Sequence, residues 1–197
     1  DPWKKLPKYE DGLAKTIDYI NFIYAINSSI KFEVGTEEAI RYFNSEELEQ
    51  LIQDLEKKLD SKVFDNILYA VVQSGVGLDL GAQKNTGTFS KHRLQEMVSV
   101  CHKFNLRSKE HNGDYLTPEG ISERFDVGLD SLNIAPEFGQ IETACYLDAI
   151  EDIDKWFDIC YQSKRWEKWV RKDFVPHDNK RELIRICGHY VLSHPDF

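Results

Sequence analysis

Ile67-Leu68-Tyr69-Ala70-Val71-Val72-Gln73 decides the fold. Its first six residues are apolar or aromatic without a break. The run is too short for a buried helix and is closed by Ser74-Gly75. Such a segment reads as a strand buried on both faces, which is the habit of parallel sheets. Upstream, Ser45–Leu59 places Leu48, Leu51, Ile52, Leu55 and Leu59 at helical spacing. Asn44, with Glu47 three residues on, is a capping signature for that helix. Downstream, Ser90–Phe104 carries Leu94, Met97, Val98 and Cys101 on one stripe. Further strand-like runs lie at Ile30–Val34, Leu106–Lys109 and Ser131–Ile134. Helical periods occupy Leu13–Ala25 and Glu142–Tyr161, and Thr117-Pro118-Glu119-Gly120 opens another helix with Thr117 as its cap.

Strands that alternate with helices imply a parallel sheet with crossover helices, an α/β fold. Four such units fit half of an eight-fold (β/α) barrel, or a small doubly wound sheet. Gly75-Val76-Gly77 follows a strand, but no third glycine completes a dinucleotide fingerprint. Residues 1–155 are read as the half-barrel. Residues 156–197 are read as an aromatic-rich helical tail packed on it, with Trp156, Trp166 and Trp169, a break at Phe174-Val175-Pro176-His177, and a last helix over Arg181–Leu192.

Composition narrows the function. The 197 residues suit one domain or part of a larger one, and 41% hydrophobic residues suffice for a core. Lys and Arg number 25 against 34 Asp and Glu, a net charge of −9, which argues against nucleic acid or an anionic membrane as partner. No apolar run reaches the length of a transmembrane helix. Cys101, Cys145, Cys160 and Cys187 lack metal-type spacing and read as reduced thiols of a cytoplasmic protein. The opening Asp1-Pro2-Trp3, without Met or a signal peptide, reads as a processed or truncated start.

In both parallel architectures the chemistry gathers at the C-terminal ends of the strands. After the first strand, Glu37 either reaches into a barrel mouth or serves as a first-turn helix acid behind Thr36. After the second, Gln73 is an amide at the end of an apolar strand, where it needs a partner. The glycine-rich loop that follows either cradles a phosphate or is an ordinary surface loop. After the third, Lys109-Glu110-His111-Asn112-Gly113-Asp114-Tyr115 is the densest polar cluster of the chain. Glu110, His111 and Asp114 are the catalytic candidates. His111 with Glu110 or Asp114 makes an acid–base pair, or His111 and Glu110 hold a divalent metal such as Zn. Lys109 would meet a phosphate. After the fourth, Asn133 and Glu137 are further mouth candidates.

Gly35-Thr36-Glu37, Val71-Val72-Gln73-Ser74-Gly75-Val76, His111-Asn112-Gly113-Asp114-Tyr115 with Thr117 behind it, and Asn133-Ile134-Ala135-Pro136 with Phe138 stand in this order. Together with the closing stretch from Trp166 to Tyr190, they resemble the strand ends of the non-catalytic subunit of class II tagatose-bisphosphate aldolase. Ser74 stands where that family has Pro, Lys109 where a Glu is expected, and Asn133 where it has Lys. The resemblance implies the C-terminal half of a (β/α)8 barrel, a role in phosphosugar metabolism and binding of a ketose bisphosphate or related sugar phosphate. It also implies a catalytic class II aldolase subunit, or a second copy, as partner. Two alternatives stand beside it. One is a stand-alone aldolase, or a sugar-phosphate isomerase or epimerase that uses Glu37 and Glu110. The other is an accessory protein without chemistry, joined to its partner through the aromatic tail.

Overall fold

The computed structural model describes all 197 residues. In chain order they form α1 (Tyr9–Ile26), β1 (Phe32–Val34), α2 (Ser45–Lys58), α3 (Ser61–Phe64), β2 (Ile67–Val72), β3 (Val76–Asp79), β4 (Lys84–Gly87), α4 (Lys91–Lys103), β5 (Arg107–Glu110), α5 (Pro118–Asp126), β6 (Ser131–Leu132), α6 (Pro136–Ala149), α7 (Asp154–Ser163) and α8 (Lys180–Cys187). No helix is long and apolar enough to cross a membrane. All four cysteines are free thiols.

The chain divides into two compact units. Residues 1–77 and 86–133 form the first; residues 78–85 and 134–197 form the second. The division falls after Asn133, ahead of the boundary read at residue 155, because α6 packs on α8 and on the turn that follows it. A kink at residues 150–153 splits the helical stretch read over Glu142–Tyr161 into α6 and α7.

In the first unit, β1, β2, β5 and β6 pair in that spatial order, every pair parallel. Strand order equal to chain order means that the sheet is wound in one direction, with no reversal such as a doubly wound sheet has. It is an open sheet with free edges at β1 and β6. The four strands lie where their apolar runs predict them. Asn44 caps α2 by accepting from Glu47 N, Ser90 caps α4 by accepting from Arg93 N, and Thr117 caps α5 by accepting from Gly120 N. One sheet face, with Phe32, Val34, Ala70 and Val72, joins the core formed with Leu13 and Ile20 of α1, Leu48, Leu51, Ile52 and Leu55 of α2, and Leu94, Met97 and Cys101 of α4. At Gly12 the Trp3 ring lies so close to α1 that any side chain would collide with it. That contact buries Trp3 and fastens the N-terminal turn.

The stretch read as a flexible glycine-rich loop is a hairpin of β3 and β4. Gly75 and Gly87, both with left-handed backbone, bring its two ends together, and a side chain at either would strike the backbone opposite. Thr88 N donates to Gly75 O at 3.0 Å and Ser90 N to Ser74 O at 2.7 Å. These glycines close a hairpin, which accounts for them without a phosphate.

The second unit has its own core of Leu147, Trp156, Phe157, Cys160, Leu183, Ile184, Ile186 and Cys187. Gln140 Nε2 donates to Leu80 O at 3.0 Å and to Ile186 O at 3.3 Å, tying the hairpin tip to α6 and α8. Tyr161 stacks between Phe157 and Trp166. The aromatic and basic composition of this stretch thus belongs to a small packed unit.

Candidate active site at the C-terminal edge of the parallel sheet

Parallel pairing sets the strand ends side by side. Val34 pairs with Ala70, Val72 with Glu110, and Glu110 with Leu132. Gly35, Gln73, His111 and Asn133 therefore emerge along one edge, where chemistry collects in such sheets.

Side chains alternate along a strand, so Lys109 and His111 share the face opposite Glu110. On that face Glu33, in the middle of β1, reaches across β2 to both. Its Oε2 accepts from Lys109 Nζ at 2.5 Å, and its Oε1 lies 2.7 Å from His111 Nε2. The ammonium of Lys109 lies over the Tyr69 ring on the strand between, 4.5 Å from its centroid. Burial alone would raise the Glu33 carboxyl, but the hydrogen bonds from His111 and Lys109 outweigh it and hold the group below its ordinary 4.5. Glu33 is therefore an anion at neutral pH and can only accept. Nε2 of His111 carries the hydrogen, and Nδ1 is the ring nitrogen that does not meet Glu33.

Glu33 and His111 border a cavity of about 420 Å³. Asp1, Lys4, Thr36 and Glu37 add polar lining, and Trp3, Tyr19, Ile20, Ile23 and Phe32 add apolar lining. Thr36 Oγ1 donates to Asp1 Oδ2 at 2.6 Å, which fixes the first residue beside the end of β1. Glu37 also borders a narrow recess with Gln73, Ser74, Glu110, His111 and Asn112.

Of the residues expected at the site, His111, Lys109 and Glu37 gather at this edge. Glu110 borders the narrow recess beside His111, but its carboxylate bonds elsewhere. It faces the other side of the sheet, buried, where its Oε2 accepts from Arg124 Nε at 2.6 Å and its Oε1 from Ser74 Oγ. Arg124 also donates to Gly120 O at 2.7 Å and lies over the Phe89 ring. Burial raises the Glu110 carboxyl, against the pull of Ser74 and Arg124. Glu110 is a buried structural partner, so the expected pairing of Glu110 with His111, in catalysis or at a metal, is corrected by strand alternation.

Gln73 is likewise spent within the fold. Its Nε2 donates to Thr36 O and Arg41 O at 2.9 and 2.8 Å; its Oε1 accepts from Phe43 N at 2.8 Å and Arg93 Nη2 at 3.0 Å. The amide needs a partner, as expected, and finds it in the loop after β1; no capacity remains for a ligand. Asp114 is buried. Asn133 is exposed and bonds through its backbone, donating to Glu110 O and accepting from Gly113 N. Glu137 belongs to the second unit, in the first turn of α6.

Glu33 is the residue that sequence reasoning missed. The signal was the alternation Phe32-Glu33-Val34: a charge between two core residues must face the other side of the sheet. For a divalent metal, Glu33 and His111 offer one carboxylate and one imidazole, and no three His, Cys, Asp or Glu side chains converge in a ligand set. These residues do not by themselves make a full ligand set for the expected metal.

No family model matches the chain, and no curated protein matches it. Its fold is similar to part of a solved structure, the fructuronate-tagaturonate epimerase UxaE from Cohnella laeviribosi. The glycerol complex of that protein superposes with a TM-score of 0.60 at 12% identity, over 94% of this chain and 42% of the other. The native form gives a TM-score of 0.59 at 12% identity, over 93% and 41%. The chain spans about two fifths of that protein's length.

Proposed function

We propose that this chain carries the acid–base edge of a carbohydrate-metabolising enzyme on a (β/α)-barrel type of scaffold, moving a proton next to the carbonyl of an open-chain keto sugar. The observation that carries the reading is the Glu33–His111 pair, with Lys109 alongside, at the C-terminal edge of the sheet and on a cavity of sugar-holding size. Nδ1 of His111 takes the proton from the carbon beside the carbonyl. Glu33 stabilises the imidazolium and keeps the ring oriented; Lys109 supplies positive charge near the developing enediolate. Returned to the neighbouring carbon, with the hydroxyl proton of the first carbon passing to the former carbonyl oxygen, the proton completes an isomerisation. Glu37, on the same cavity, is a second carboxylate for a reaction that needs both faces of the substrate.

The fold shared with a fructuronate-tagaturonate epimerase makes keto sugar acids the first substrates to try, and sugar phosphates the second. A second reading, a non-catalytic companion of a class II aldolase, is favoured by the order of the strand-end motifs from Gly35 to Asn133. Incubation in deuterium oxide with tagaturonate, fructuronate or a ketose phosphate decides between them. Deuterium enters the substrate with the wild type, and the rate falls at least 100-fold in His111→Ala and in Glu33→Gln, as expected for a lost acid–base group. No exchange with any of these substrates, in a chain that melts cooperatively, overturns the catalytic reading and leaves the companion role.

A further inference from the structure

We propose that Cys160 and Cys187 are a dithiol that closes to an intramolecular disulfide and ties α7 to α8. Both side chains are fully buried in the core of the second unit. Helices α7 and α8 pack on each other, and their approach is close. Trp156 and Cys160 lie one helical turn apart on α7, so they share a face. Gly188 follows Cys187 directly, and a Cβ placed on it would lie 2.8 Å from the Trp156 ring. With Gly188 seated on Trp156, Cys187 falls against Cys160, and the two thiols share a hydrogen bond. Sulfurs in hydrogen-bond contact need to close by only about 2 Å more to bond, which rotation of two short side chains supplies.

The other two cysteines are placed differently. Cys101 is buried in the core of the first unit, and Cys145 is exposed on α6. The hydrogen bond with Cys187, and burial after it, hold the Cys160 thiol far above its ordinary range. A thiol attacks only as its thiolate, so the folded unit guards the pair and the reaction waits for α8 to part from α7. The oxidant is a low-molecular-weight disulfide. One cysteine loses its proton to solvent and attacks a sulfur of that disulfide; its S–S bond breaks, and one small thiolate leaves and takes up a proton. The second cysteine, deprotonated in turn, attacks the first cysteine's sulfur in the mixed disulfide, and the second small thiolate leaves. The pair is oxidised by two electrons, and the small disulfide is reduced to two thiols. The bond closes covalently the segment between the two helices, with its break at Phe174-Val175-Pro176-His177. Neither His111 nor Glu33 takes part, so the inference stands apart from the proposed proton transfer.

The test incubates the full chain carrying Cys145→Ser in a glutathione redox buffer, once without urea and once in urea just below the unfolding midpoint. The substitution removes the exposed thiol that would otherwise take up glutathione. Intact mass and non-reducing peptide maps are read over time. Expected is the loss of two hydrogens with no glutathione retained, and a peptide pair joining Cys160 to Cys187. The rate is about tenfold or more higher in urea, because the thiols react only when the helices part. Returned to buffer, the oxidised chain melts about 5 °C or more above the reduced one, as closure of a loop of this length implies. Dithiothreitol reverses the shift, and neither Cys187→Ser nor Cys160→Ser added to that chain shows it. A chain that stays reduced in urea overturns the inference. So does glutathione retained on Cys160 or Cys187, a mixture of pairings that includes Cys101, or an oxidised chain that melts no higher than the reduced one.

Discussion

Glu110 shows at the scale of one residue how a sheet decides chemistry. It sits between Lys109 and His111 in sequence, yet period-two alternation sends it to the opposite face. There it forms a buried pair with Arg124, 2.6 Å apart, while its neighbours meet Glu33. Its raised carboxyl has a definite pH signature. For a group raised by folding, stabilisation is complete below the unfolded value and is lost as pH rises through the folded one. Arg124→Met removes the charge that draws Glu110 down, so this loss grows. The variant is expected to lie near wild type at pH 5 and about 3–5 kcal/mol below it at pH 8, the usual cost of orphaning a buried charge. Urea unfolding at the two pH values checks this; a deficit independent of pH would mean that Glu110 does not titrate in the variant. The polar cluster was legible as a cluster, and its division between two faces follows from the same alternation. Glu33 was harder to see, because its partners lie 76 and 78 residues away in sequence, across an intervening strand.

At the scale of elements, the strands, the caps of α2 and α5 and the stripe of α4 were legible because each depends on residues close in sequence. The hairpin of β3 and β4 was not. Its strands are only four residues long, the second of them polar, and its glycines look the same whether they close a hairpin or free a loop. The role of Gln73 was half legible: the amide demanded a partner, but the partner is backbone of a loop some thirty residues upstream. Gln73 thus clasps the segment 36–43 that carries Glu37. Gln73→Leu leaves the carbonyls of Thr36 and Arg41 and the N–H of Phe43 without partners. The expected cost is about 2–4 kcal/mol, read as a lower denaturation midpoint with an unchanged slope. A cost under about 0.5 kcal/mol, within the range of an ordinary surface change, would show that the loop is held by its other contacts.

Over the whole molecule, a singly wound parallel sheet and a small helical unit account for the full sequence, and the sheet sets the strand ends in a row. The boundary between the units escaped the sequence reading because α6 looks like one more crossover helix until its packing on α8 is seen. The account rests on one claim about this chain: that a keto sugar or sugar phosphate binds against the His111–Glu33 pair. The most direct measurement follows the six histidines by ¹H–¹³C NMR while tagaturonate, fructuronate, tagatose bisphosphate and fructose bisphosphate are titrated in separately. The account predicts that one of these ligands shifts the His111 ring saturably, that the exposed His92 stays still, and that Glu33→Gln weakens the binding at least tenfold. Ligand shifts absent from His111, or unchanged in Glu33→Gln, would contradict it.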